Sequence, residues 1–230
     1  MWCNKSWFLS MAVFFGLVSC SSKKEKLVAI DVLLIPSEEI YAQSLRLNEV
    51  IHQNNPQTLK LDQNHVPHIT LLQCFVKEND LPTIEKNLKG LFQTITADSL
   101  KTTKLSYDSS KAESFAMISI EKSQPLLNLH AKAIAVLKPF ITKDGSEAAF
   151  VQNPDGSAID PFTVAYVPAF VGEHSFQNFD PHISLGVAPT DVLDSLAVHI
   201  FKPKQFLPAS LCVYQLGDHG TAQKLLWQAE

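Results

Sequence analysis

The chain has 230 residues, 19 lysines and arginines against 23 acids, and a formal net charge of −4 with histidine neutral. Arg46 is its one arginine. That balance argues against long nucleic acid, which is gripped through many Lys/Arg–phosphate contacts, but leaves small phosphate esters open, since a pocket needs only local donors.

The first segment reads as processing rather than fold. Lys5 supplies positive charge, and residues 7–18 are apolar apart from Ser10 and Gly16, a run short for a membrane span but suited to a signal segment. It ends in Leu17-Val18-Ser19-Cys20, which resembles a bacterial lipobox. The resemblance implies a signal peptide over residues 1–19, lipid attachment at Cys20 and a polar tether over 20–26. The protein would then sit in the cell envelope, with Ser21 favouring the outer membrane and the periplasmic side. An ordinary signal peptide and an uncleaved anchor stay open. Residues 27–230 are expected to form one two-lobed domain, long enough to bury a sizeable core.

Residues 27–35 form an apolar run broken by Asp31, short enough for a buried strand. After Ser37 comes an amphipathic helix to about His52, with Ile40, Leu45, Leu47, Val50 and Ile51 as its apolar stripe. A strand over 68–76 follows. Asp80 and Pro82 then open a helix carrying Ile84, Leu88, Leu91, Phe92 and Ile95. Strands are expected over 100–107 and 114–121, the second with Phe115, Met117, Ile118 and Ile120 as its apolar set. These make one lobe. The other begins with a helix over 124–140, followed by a long polar loop over 143–160. A short strand at 164–167, a strand at 182–188, a helix from Thr190 and strands at 211–216 and 224–228 complete it. This mixed order fits an α+β fold of two antiparallel sheets with helices packed outside.

Chemistry enters with a repeated pentapeptide: Pro67-His68-Ile69-Thr70-Leu71 and Pro181-His182-Ile183-Ser184-Leu185. On a strand, His68 and Thr70 share one face while Ile69 and Leu71 point into a core, and His182 and Ser184 repeat the arrangement. Each copy offers an imidazole that exchanges protons near neutral pH and a hydroxyl able to hold an oxyanion. One copy would be a weak signal. Two copies among eight histidines are much rarer by chance.

The pair resembles the 2H phosphoesterase superfamily, which includes bacterial 2′-5′ RNA ligase-like proteins and cyclic phosphodiesterases. The resemblance implies an internally duplicated, two-lobed fold with one His-x-Thr/Ser strand per lobe. It also implies His68 and His182 as catalytic acid and base, and Thr70 and Ser184 as substrate-binding hydroxyls. The opening strand lacks the arginine that some branches carry there. The expected reaction is metal-independent hydrolysis of a 2′,3′-cyclic phosphate or 2′-5′ phosphodiester in nucleotides or short RNA ends. A second reading keeps the fold but makes the protein a catalytically silent envelope lipoprotein that binds phosphate-containing ligands.

The remaining candidates are weaker. No metal-ligand spacing, Gly-rich phosphate loop or other cofactor motif is present, so neither metal nor cofactor is expected, and the protein is read as a monomer. Cys74 and Cys212 lie in apolar stretches and read as small buried hydrophobes, with a disulfide left open. His52, His130 and His199 read as surface or boundary residues. His65, His174 and His219 lie in loops from which a ligand is within reach. Phe162 and Tyr166 suit either a core strand or a stack on a nucleobase.

Overall fold

The computed structural model describes residues 25–95 and 100–229. The signal segment, Cys20 and most of the tether lie outside the described residues. The first sheet contains β1 (Leu27–Ile35), β2 (Ile69–Lys77), β7 (Ser210–Leu216) and β8 (Ala222–Gln228), in the order β2-β1-β7-β8. The second contains β3 (Leu100–Ser106), β4 (Glu113–Ile120), β5 (His182–Pro189) and β6 (Gln205–Phe206), in the order β5-β4-β3-β6. Every pairing is antiparallel. The helices are α1 (Glu38–Asn54), α2 (Leu81–Leu88), α3 (Gln124–Leu137), α4 (Pro161–Glu173) and α5 (Thr190–His199). The chain therefore forms two antiparallel lobes of the α+β class.

The lobes are not successive halves of the chain. β7 and β8 return to pair beside β1, whereas β3 and β4 leave the first half to pair with β5. Helix α1, although it follows β1, packs on β5, and α3 and α4 pack on β2. Each lobe thus closes only when both halves of the chain are present. β1 explains its own sequence, because it is interior to its sheet and buried along its length, and such strands read as continuous apolar runs.

Several expectations are corrected. Residues 161–173 are helix α4, not a strand: Asp160 caps it by accepting from the Phe162 amide, Pro161 occupies the first turn, and Thr163, Val167 and Phe170 are buried at helical spacing. In β4 the inward set is Ser114, Ala116, Ile118 and Ile120, while Phe115 faces out. Helix α2 stops at Leu88, and Phe92 and Ile95 are buried instead from a short 3₁₀ turn and its end. Helix α3 stops at Leu137, because Pro139 has no N–H with which to continue the helical hydrogen-bond ladder. The two-residue strand β6 has no sequence signal of its own. Cys74 and Cys212 are free, buried thiols on the strands flanking β1.

The two motif strands carry the same irregularity. The β1–β2 register passes from Leu33↔Thr70 to Val32↔Leu72, leaving Leu71 as an extra residue. The β4–β5 register passes from Met117↔Ser184 to Ala116↔Gly186, leaving Leu185 as an extra residue. The bulge therefore falls on the final Leu of both pentapeptides, and it is the clearest mark of duplication in the fold. Bulges free backbone groups that need other partners. The Leu185 carbonyl accepts from Asn48 Nδ2 of α1 at 2.7 Å, and the Leu71 carbonyl accepts from His130 Nδ1 of α3 at 2.7 Å.

Each of these two residues also reaches the approach to the other motif. Asn48 bonds the Leu59 carbonyl and the Leu61 amide, on the loop leading to His68. His130 accepts the Phe176 amide at 2.9 Å and stacks on Phe179 at 3.9 Å, on the segment leading to His182. Both side chains are 1% exposed. His130 is thus a core residue rather than a surface one, and together with Asn48 it cross-braces the two motifs.

Candidate active site

β2 and β5 are edge strands of their own sheets, and they touch where the lobes meet. His68 stands immediately before β2 and His182 opens β5, so the adjoining edges carry both imidazoles to one cleft of about 340 Å³. Thr70 and Ser184 line the same cleft. The structure brings together all four residues singled out by the repeated motif.

The histidines are oriented by one local device. His68 Nδ1 lies 2.7 Å from the Val66 carbonyl, and His182 Nδ1 lies 2.7 Å from the Asp180 carbonyl. A carbonyl only accepts, so in each ring Nδ1 carries the hydrogen and Nε2 is the proton-exchanging atom. The intervening proline, Pro67 or Pro181, holds the turn that makes this reach possible. Burial pushes His68 down to about 4, with nearby His182 also lowering it, against the raising effect of the Val66 hydrogen bond. His68 is therefore a neutral imidazole at physiological pH.

The two hydroxyls differ. The Ser184 hydroxyl makes no hydrogen bond to the described residues, whereas Thr70 Oγ1 donates to Asp31 Oδ2 at 2.7 Å. Asp31 is fully buried in β1, and it also accepts from Gln73 Nε2 at 3.0 Å and lies 3.7 Å from His68 Nε2. The bulge makes this cluster possible. Thr70 and Gln73 are three residues apart, a spacing that puts side chains on opposite faces of a regular strand, and the extra Leu71 restores them to one face beside Asp31. Burial raises the Asp31 carboxyl to about 7, against the lowering effect of the Gln73 and Thr70 bonds. The second motif lacks such a carboxyl: by register, Val187 and Phe115 stand where Gln73 and Asp31 stand in the first.

Helix α4 forms one wall. Phe162, Tyr166, Phe170 and His174 recur every four residues, share one helical face and line the cleft. Tyr166 and His174 stack at 4.3 Å, and Phe162 is 72% exposed at the rim. Loop residues close the rest: His65, held by Asp62, and His219, on the turn between β7 and β8. Five of the eight histidines line this one cleft, and among the described residues no lysine or arginine does. His52 and His199 stay outside it. Sequence reasoning passed over Asp31, Gln73 and Asn48, and it misplaced His130. For His130 a signal existed, since it falls on the stripe of Leu126, Ala133 and Leu137.

Among the described residues, no group of three or more His, Cys, Asp or Glu is placed to hold a metal ion. No described helix is long and apolar enough to cross a membrane.

Comparison with known proteins matches the sequence model of the 2′-5′ RNA ligase superfamily to residues 35–220. No curated protein matches the chain. Similar solved structures include TT0787 of Thermus thermophilus, at 16% identity and a TM-score of 0.46, covering 88% of this chain and 97% of that one. Usb1 of Kluyveromyces marxianus is similar at 10% identity and a TM-score of 0.36, covering 87% of this chain and 96% of that one. With both His-x-Thr/Ser strands inside the matched span, the chain belongs to the 2′-5′ RNA ligase superfamily of 2H phosphoesterases.

Proposed function

We propose that this phosphoesterase hydrolyses 2′,3′-cyclic phosphates or 2′-5′ phosphodiesters of nucleotides and short RNA ends, with His68 as general base and His182 as general acid. The observation that carries this reading is the pair of Nε2-presenting imidazoles brought to one cleft from two edge strands. Neutral His68 takes a proton from the water that attacks phosphorus. The P–O bond to the ribose breaks, and imidazolium His182 protonates the departing oxygen. Ser184 and Thr70 hold the non-bridging oxygens as charge develops on them. The burial of His68 supports this division of roles, since a ring held neutral by burial is ready to accept a proton. The exposed Phe162 and the Tyr166–His174 stack offer π-faces for a nucleobase. A cleft of about 340 Å³ lined by no lysine or arginine among the described residues suits a mononucleotide or an RNA end rather than a long strand.

Purified protein assayed against 2′,3′-cyclic mononucleotides, 2′-5′ dinucleotides and 3′-5′ dinucleotides tests this directly. Turnover of one of the first two classes is expected, with activity retained after dialysis against EDTA. Loss of activity to the chelator and its return with a divalent ion would replace the paired-histidine mechanism with a metal-dependent one. A folded protein that binds these compounds and converts none is the silent binding module.

Location is part of the same proposal. The mature chain begins at acylated Cys20, is tethered through residues 20–26 and faces the periplasm, a location that favours small products of metal-independent RNA breakdown, such as 2′,3′-cyclic nucleotides, over tRNA. Intact mass spectrometry of native protein should show a chain starting at Cys20 with added acyl mass. A retained Met1 without lipid would refute it.

A further inference from the structure

Beside the first motif, on β1, lies a buried carboxyl that neither proton transfer uses. Asp31 is 0% exposed, and its Oδ2 takes both available hydrogen bonds, from Thr70 and Gln73. Oδ1 is buried without a hydrogen-bond partner. The titratable groups around it are His68 and Cys74 from β2, Tyr214 opposite it on β7, and Tyr166 from α4. The turn carrying Asp218, His219 and Gly220 comes next, with Gly220 close to Gln73. Among the described residues no lysine or arginine pairs with Asp31. A carboxylate so placed has little to solvate it, and such groups tend to take up a proton.

The protonation state decides which way Thr70 can donate. When Asp31 is ionised, the Thr70 hydrogen is committed to Oδ2 at 2.7 Å. When Asp31 is protonated on Oδ2, the carboxyl O–H donates to Thr70 Oγ1, and the Thr70 hydrogen is released toward the cleft. Only the second arrangement offers a donor to an oxyanion, and it also removes a negative charge from behind the binding site.

We propose that Asp31 is a positioning residue that couples anion binding to uptake of one proton, turning the Thr70 hydroxyl outward to hold a phosphate oxygen. The proton comes from solvent, and no covalent bond changes. The inference rests on the reading of the cleft as a phosphate site. It gives the two motifs different duties: Ser184 is ready to donate at any pH, and Thr70 becomes a donor only with protonated Asp31. The raised carboxyl, near 7, places the switch in the physiological range.

Sulfate is the probe, because it remains a dianion across this range and is not turned over. Its dissociation constant is measured calorimetrically at pH 6 and pH 8 for wild type and Asp31→Asn. In the variant the amide N–H stands in for the carboxyl O–H and donates to Thr70 at every pH, so the comparison isolates the contribution of the Asp31 carboxyl. The ratio of wild-type to variant Kd is expected to rise by up to about tenfold between the two pH values, the limit for one coupled proton whose midpoint without sulfate is near 7. A ratio constant within twofold, or no saturable sulfate binding, overturns the proposal.

Folding is controlled by the same linkage. A raised folded pKa means that the carboxyl's stability contribution is full below its unfolded value of 3.8 and is lost as pH rises through about 7. Asp31→Asn should therefore melt no lower than wild type at pH 8. If the variant does not fold, the ¹³C titration of the Asp31 carboxyl in wild type decides: a midpoint near 7 that moves up with sulfate supports the coupling, and a midpoint that sulfate does not move overturns it. Neither readout needs turnover. Coupling in a protein that hydrolyses nothing removes the enzymatic reading and keeps this one, while turnover without coupling does the reverse.

Discussion

Replacing either His68 or His182 by Ala should lower kcat by about 10²–10⁴, the range expected on removing a general acid or base. The double variant should be scarcely worse than either single one, because groups that act in one step do not contribute additively. Ser184→Ala and Thr70→Val should cost less, on the order of 10–10³, since each deletes one donor and leaves both proton transfers in place. Steady-state kinetics on a substrate the wild type converts, with circular dichroism as the folding control, would measure these. Both imidazoles face the cleft, while Ile69, Leu71, Ile183 and Leu185 are fully buried beneath them. The substitutions should therefore leave the core packing as it is. A folded His68→Ala or His182→Ala variant with near-normal turnover would rule the mechanism out.

His130→Ala is expected to be the most damaging change outside the cleft, by about 3–5 kcal/mol in urea denaturation. It opens a cavity and strands two buried backbone groups, the Leu71 carbonyl and the Phe176 amide. Phe176 holds a left-handed conformation at φ 56°, which costs a non-glycine residue on the order of 1–2 kcal/mol and needs the surrounding structure to impose it. Asn48→Ala should follow at about 2–4 kcal/mol, for the same reason at the other bulge. Burial also depresses the His130 pKa below its ordinary 6.5. The stability it supplies is therefore present above that value and declines as pH falls below it, where protonation would break the bond from Phe176. A loss below about 1 kcal/mol for His130→Ala would remove the cross-brace as an explanation of how the motifs are held.

The sequence was informative where the signal is local. Strand β1 is read to the residue, and both motif strands are legible because period-two alternation and a repeated pentapeptide leave few alternatives. The exchange of strands between lobes was not legible, because β7 pairs with β1 through contacts that no local pattern encodes. Helix α4 was misread because its Val, Tyr and Phe content suits a strand and it is apolar around much of its circumference. The signals that favour a helix, Asp160 followed by Pro161, lie at its edge.

In the sequence Asp31 reads as a break in an apolar run, although a lone carboxyl in the interior of a buried strand is costly enough to call for a reason. The bulges carry no residue signature in either motif. Without them, Thr70 and Gln73 fall on opposite faces, and the cluster around Asp31 is invisible. Of the site, then, the four motif residues were legible, and the groups that orient them were not.

The pH dependence of kcat/KM on a 2′,3′-cyclic nucleotide, from about pH 4 to pH 9, tests paired-histidine catalysis most directly. His68 must be neutral, and its lowered pKa of about 4 places the acid-side fall at the low end of this range. General-acid catalysis requires His182 to be protonated, so activity should fall again on the alkaline side. The expected profile is a bell, and a folded His182→Ala variant should sit at least about a hundredfold below it. A rate that keeps rising to pH 9, or a His182→Ala profile that overlays the wild type, would contradict it.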